Sequence, residues 1–287
     1  MTDLESINHL GVIVADIDRV IDPYTRLGFA FTPLSRHRGA LRPGEPVADL
    51  GTGNRCAVFR STYLEVVTII PGSAAGQVPP GLPDGLHILC FGSPDAAALA
   101  HRWTAAGIPN DGAVPLERNV DTPQGPDLVK AIRVMIDFAA TSEGQLLASE
   151  LLTPQTVHQP RYMSHDNGAL ELSELVVSAS DAAAVAQRYA VMTGIHAERD
   201  GDAHVIRLPR QQLVFLAPGD VQRYVPGARP SESPAMVAFG VAVHNLNATR
   251  TLLHDRDIAH NDALGRLVVP PPYGPGPAVV FESERVT

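Results

Sequence analysis

Two histidines stand at the head of apolar strands in this chain. His9 opens "HLGVIV" and His87 opens "HILCFG". Imidazole is costly to bury without a hydrogen-bond partner or a metal, so a histidine leading such a run calls for a reason. Two carboxylates sit in similar company. Glu65, in "YLEVV", is the sole charge between Ser61 and Ile70, and a strand there places Tyr63, Glu65 and Val67 on one face. Glu150 closes the later strand "QLLASEL", while its neighbour Glu143 falls in "TSEGQ", which reads as a hairpin turn. Each residue also has an ordinary reading. A strand-leading histidine can be solvated or hydrogen-bonded, and Glu65 can point outward from an edge strand. Brought together, carboxylates and imidazoles could take and return protons at neutral pH.

The elements that would position these residues recur along the chain. "HLGVIVADIDRVIDPYTRLGF" is followed by "HILCFGSPDAAALAHRWTAAGI", "ELVVSASDAAAVAQRYAVMTGI" and, more weakly, "AFGVAVHNLNATRTLLHDRDI". Each reads as strand, cap, helix and stop. The faces Val20/Tyr24/Leu27, Leu99/Trp103/Ala106 and Val185/Tyr189/Met192 have helical spacing. Gly28, Gly107 and Gly194 stop three helices and Asp257 takes that place in the fourth. From strand start to stop the separations are 19, 20, 20 and 19 residues (His9 to Gly28, His87 to Gly107, Glu174 to Gly194, Ala238 to Asp257). Pro23 suggests that the first helix starts late or bends. Strand-like stretches follow each helix, in the first unit at Phe29–Pro33, Arg55–Phe59 and Tyr63–Ile69. The spacing predicts an α+β protein of four tandem βαβββ modules. Paired, these make two domains with curved mixed sheets: residues 1–155, a turn-rich linker at 156–171, and residues 172–287.

Composition narrows the function. Of 287 residues, 45% are hydrophobic and 18% charged, a globular balance. The net charge of −9 and the lack of a Lys/Arg cluster argue against a nucleic-acid or anionic-membrane surface. No apolar run approaches the roughly 18 residues of a spanning helix, and residues 1–8 lack a signal-peptide layout. Cys56 and Cys90 stand in no paired motif. The expectation is a cytoplasmic protein with a small-molecule partner, no nucleic acid or membrane, and a homodimer allowed.

A βαβββ module used in pairs resembles the vicinal oxygen chelate superfamily of glyoxalases, bleomycin-resistance proteins and dioxygenases. "LGTGNRCAVFRSTYLEVVTI", residues 50–69, is similar to the GTxN…YLEL signature of glyoxalase-like domain proteins. "SELLTPQTVHQPRYMSHDNGA" resembles a segment after the second module that usually reads EHLTP and then HPNGA; here Leu151 and Asp166 replace a His and a Pro. The resemblance covers residues 7–170 and fades over the second half.

That resemblance implies metal ligands at the start of strand one and in strand four of each module, which here are His9, Glu65, His87 and Glu150. Two neutral imidazoles and two carboxylates suit one divalent ion such as Zn, Ni, Co, Fe or Mn, with positions left for substrate. The implied chemistry is glyoxalase-like: a lyase or isomerase polarising an oxygen-chelating substrate to an enediolate, with Glu65 or Glu150 as base. Rival readings are a ring-cleaving dioxygenase using His9, His87 and Glu150, and a non-enzymatic binding or resistance protein. His37, Asn54 and Arg55, with Arg38 beside them, are candidates to orient a carboxylate or enolate. The third and fourth modules carry Glu174 and Ala238 where the histidines stand, with Glu282 alone echoing Glu65, and read as a degenerate copy.

Overall fold

The computed structural model describes residues 4, 6–73, 78–79 and 81–284. The first module runs β1 (Ser6–Val14), α1 (Ile17–Arg26), β2 (Ser35–Gly39), β3 (Ala48–Val58) and β4 (Tyr63–Ile69). The second repeats it as β5 (Gly85–Gly92), α2 (Ala96–Ala105), β6 (Val114–Thr122), β7 (Gly125–Met135) and β8 (Gln145–Leu151). The helices start where side-chain oxygens can cap them: Asp16 accepts from the amides of Asp18 and Arg19, and Asp95 from that of Ala98. α1 begins at Ile17 rather than late and keeps Pro23 inside it. Phe29–Pro33, expected as a strand, is irregular chain. Phe29 is buried against Phe59 and Phe281, and Pro33 has no N–H to give a ladder, so pairing begins only at Ser35.

Within each module the order is the same, β1-β4-β3-β2 and β5-β8-β7-β6. The two sheets join antiparallel at β1–β5, where His9 lies opposite Cys90. They join again at β2–β6, where His37 lies opposite Arg118. The second join shuts the sheet into an eight-stranded barrel, beyond the open curvature the repeat implied.

The second half contains β9 (Ala169–Ser178), α4 (Ala182–Thr193), β10 (Glu198–Asp200), β11 (Ala203–Arg207) and β12 (Gln212–Leu216). It continues with α5 (Pro218–Tyr224), β13 (Ala235–Val243), α6 (Leu246–Asp255), β14 (Asn261–Ala263), β15 (Arg266–Val269) and β16 (Ala278–Ser283). Short α3 (Pro154–Val157) precedes it. Here the outermost strands β10 and β14 have three residues each and do not meet, so the sheet stays open. α5 and the turn after it cover one face, packing Val221, Val225 and Ala228 on Val176, Val214, Val268 and Val280. Glu174 is fully buried beneath this cover. Its carboxylate accepts from Arg266 Nη1 at 2.7 Å and from Gln212 Nε2 and Tyr224 Oη at 2.9 Å each. Asp257 ends α6 with a φ of 52°, the left-handed conformation that glycine supplies in the other modules.

The halves share one core. Leu10, Val12, Leu64 and Phe91 from the barrel pack in the same cluster as Leu175, Phe215, Phe239 and Phe281. The indole of Trp103 donates to the Met192 carbonyl at 2.9 Å, and Arg188 from α4 pairs with the buried Glu143 at 2.5 Å. The segment between the sheets is pinned down. His165 Nδ1 accepts from the Ala30 amide at 3.0 Å, and Asn167 donates to the Leu27 carbonyl at 2.9 Å. Among the described residues no helix is long and apolar enough to cross a membrane.

Candidate functional site

Strand alternation divides the first module between a core and a cleft. On β1, Leu10, Val12 and Val14 enter the shared core, while His9 and Ile13 face the barrel interior; on β4, Leu64 and Val66 enter the core and Tyr63, Glu65 and Val67 face inward. The interior is a cleft of about 90 Å³, whose remaining walls come from β2, β3 and β5 through β8.

At its centre the His9 Nε2 and Glu65 Oε1 atoms are 3.4 Å apart. Glu65 Oε2 accepts from Asn54 Nδ2 at 2.8 Å, and His9 Nδ1 lies 2.8 Å from Asn8 Oδ1. The Tyr63 ring stacks on the imidazole, centroids 4.4 Å apart and 19° from parallel. Gly11 makes room for this pair: a Cβ there would come within 2.9 Å of Glu65 Oε1 and 2.7 Å of Ile88 Cβ. Burial by itself pushes the Glu65 carboxyl up, but His9, His37 and the Asn54 amide outweigh it and bring it down to about 2. The carboxylate is therefore ionised at neutral pH although almost wholly buried.

The other two expected ligands are not brought to this pair. β5 carries a bulge: Gly11 pairs with Ile88 and Val12 with Leu86, leaving His87 as the extra residue. Its ring folds back over Gly85 and its Nε2 lies 2.8 Å from the Pro83 carbonyl. Glu150 has the wrong parity, because Gln145, Leu147, Ser149 and Leu151 are the β8 residues that line the cleft. Its carboxylate instead accepts from the Ala96 amide at 3.1 Å, at the N-terminus of α2. His9 pairs with Tyr63, two residues before Glu65; Ile88 pairs with Gln145, two residues before Leu147. Ile88 and Leu147 face the cleft from β5 and β8. Arg55, a third expectation, turns out of the cleft toward Asp18, 3.2 Å away.

Two expected substrate contacts do line the cleft. Asn54 holds Glu65, and His37 Nδ1 lies 2.9 Å from Thr52 Oγ1, leaving Nε2 without a hydrogen bond among the described residues. Burial lowers the His37 imidazole to about 4, outweighing the nearby Glu65 carboxylate, so the ring is neutral at pH 7. Arg118 was not legible beforehand. It is one charge among several in "PLERNVDTP", and only the β2–β6 join turns it inward, opposite His37. It is 6% exposed and lines the cleft, yet among the described residues no hydrogen bond or ion pair holds its guanidinium. Arg133, by contrast, is held by Asp111 at 2.5 Å.

The donor set does not fit an ion held by four side chains. One wall offers His9 and Glu65, the matching wall offers Ile88 and Leu147, and no three His, Cys, Asp or Glu side chains among the described residues gather as a metal site.

Among curated protein sequences none matches this chain. Several solved structures share its fold. A hypothetical protein from Staphylococcus aureus superposes with a TM-score of 0.64 at 11% identity, covering 96% of this chain and 98% of its own. A triple mutant of 4-hydroxymandelate synthase from Streptomyces coelicolor gives 0.61 at 12% identity, covering 100% and 95%. The Mn(II)-bound glyoxalase from Novosphingobium aromaticivorans gives 0.55 at 11% identity, covering 99% and 83%. These likenesses concern the fold. The family model described as a glyoxalase-like domain matches residues 7–193, the whole barrel and the first strand and helix of the second sheet. With that match over most of its length, and with paired βαβββ modules around a His9–Glu65 cleft, the chain belongs to the glyoxalase-like domain family of the vicinal oxygen chelate superfamily.

Proposed function

We propose that the protein is a proton-transfer enzyme, of isomerase or lyase type, acting inside the barrel on a small molecule with a carbonyl-activated C–H bond. The observation that carries this reading is the Glu65 carboxylate: buried, ionised, and fixed between His9 and Asn54 at the wall of an otherwise largely apolar cleft. Fixed geometry favours proton abstraction, because the acceptor need not be desolvated or oriented during the reaction. The free carboxylate is a weak base, held down by the imidazoles and the amide around it. An anionic substrate beside those groups cancels part of their field. Burial, which acts the other way, then raises the basicity of Glu65 when substrate is present. Asn54 positions the carboxylate, and the His9 imidazole stabilises its charge. No step is routed through a metal ion, since His87 and Glu150 do not join His9 and Glu65. The dioxygenase alternative finds no support in the geometry, because His87 and Glu150 of its triad lie away from His9.

The test is exchange of the substrate's acidic hydrogen with solvent deuterium, followed by NMR over a panel of small hydroxy-ketones and oxo-acids. Glu65→Gln keeps the shape and the Asn54 contact but cannot accept a proton. Exchange should fall on the order of 10²-fold or more in that variant. Undiminished exchange in Glu65→Gln rules out the assigned base. Oxygen uptake with a catechol as substrate would favour the dioxygenase, and silence in both assays a binding protein.

A further inference from the structure

We infer that the cleft takes its substrate as a short monocarboxylate, an oxo- or hydroxy-acid with a small apolar tail, whose carboxylate sits on Arg118. The inference rests on the cleft being the substrate site, as proposed above, and adds what the substrate must carry.

A guanidinium cannot shed its proton in a protein, so burying one without a partner is expensive unless something else supplies the counter-charge. The carboxylates in the cleft do not supply it. Both oxygens of Glu65 are engaged, by His9 and by Asn54, and Glu117 at the rim lies 3.8 Å from Arg38. Two further polar atoms share this end of the cleft without a hydrogen bond among the described residues: His37 Nε2 and the Tyr63 hydroxyl. The charge of Arg118 reaches both side chains. A neutral imidazole and a protonated phenol beside one cation make a site for one negative charge. A phosphate dianion would face Glu65 and Glu117 with, among the described residues of the cleft, one cation free to hold it. Part of the remaining wall is apolar, with Ile13, Val67, Ile88 and Leu147 grouped in one cluster, and Thr52, Gln145 and Ser149 add neutral polar groups. A cleft of about 90 Å³ suits a handful of carbon atoms.

Calorimetric titration tests this with oxo- and hydroxy-acids of two to six carbons, each against its own amide, and with inorganic phosphate. At least one acid should bind about tenfold or more tightly than its amide, and phosphate more weakly than that acid. Arg118→Met should erase the preference for acid over amide. Its unliganded melting temperature should equal or exceed the wild type's, because an uncompensated buried cation has been removed. The inference is overturned if no acid in the panel outbinds its amide, if phosphate outbinds every acid, or if Arg118→Met keeps the preference. A lower melting temperature for unliganded Arg118→Met also overturns it, since that marks a structural cation. Failure of the proton-transfer reading looks different: acids would still bind through Arg118, with no deuterium exchange.

Discussion

Within the cleft, Glu65 and His37 are both moved down the pH scale, for different reasons. Glu65 falls to about 2 because His9, His37 and the Asn54 amide outweigh burial; His37 falls to about 4 because burial dominates. Both depressions mean that the folded protein binds fewer protons than the unfolded chain, so each contributes stability at neutral pH that acid removes. The His37 contribution is present above 6.5 and is lost as pH falls through 6.5 toward 4. The Glu65 contribution is lost lower, from 4.5 toward 2. Burial also depresses His87, His158 and His165, which add to the upper window. Urea titrations at pH 7, 5.5 and 4 should therefore show stability falling with acid, and His37→Gln should remove about 1–3 kcal/mol of that fall. An unchanged pH slope in the variant would mean that His37 is not buried neutral in the folded cleft.

Strand β5 decides what the second module offers. One extra residue at the bulge puts His87 out of the ladder and sets Ile88 against Gly11, where the first module would call for an imidazole. β8 presents Leu147 to the same cleft, and the parity that brings Leu147 inward sends Glu150 to α2. Ile88 and Leu147 are complementary, as two apolar residues in contact suit each other better than a lone donor facing a hydrocarbon wall. The register can be tested by building what it lacks. Ile88→His with Leu147→Glu should create, with His9 and Glu65, a site of two imidazoles and two carboxylates that binds one Zn²⁺, Ni²⁺ or Mn²⁺ per chain in a calorimeter. The ion-free variant should be less stable than the wild type by roughly 2–5 kcal/mol, from burying polar groups where aliphatic ones packed. The wild type, dialysed against a chelator, should bind the same ions at least tenfold more weakly. Equal binding by both proteins would mean that the two modules are not related in this register.

At the scale of the molecule, the barrel and the second sheet are built on one core. Their facing sides share a continuous core, closed by Trp103 on Met192 and by Arg188 on the buried Glu143. On the other face of the second sheet α5 packs down, and the Glu174–Arg266 pair lies under it. It serves as the wall against which the barrel packs. Trp103, the lone tryptophan, reports on that contact from within it. Its fluorescence and the far-ultraviolet circular dichroism should change together in urea, as one transition. A fluorescence change that precedes loss of secondary structure would mean that the halves separate before either unfolds.

The repeat, the helix stops and the strand faces were written in the sequence, because local spacing alone sets them. A period of two put Tyr63, Glu65 and Val67 on one side, and a strand start put His9 beside them. The turn chemistry held even where glycine is missing, at Asp257. What spacing could not determine was register across strands distant in the chain. A bulge is a single unpaired residue with no composition of its own, so His87 and Ile88 could not be ranked before β5 met β1. The inward turn of Arg118 likewise depends on β6 closing against β2, some eighty residues earlier in the chain. Which charges share a cleft is fixed by that closure. Of the four ligands that the family resemblance implied, tertiary structure brings together His9 and Glu65, in a cleft that also holds the Arg118 guanidinium.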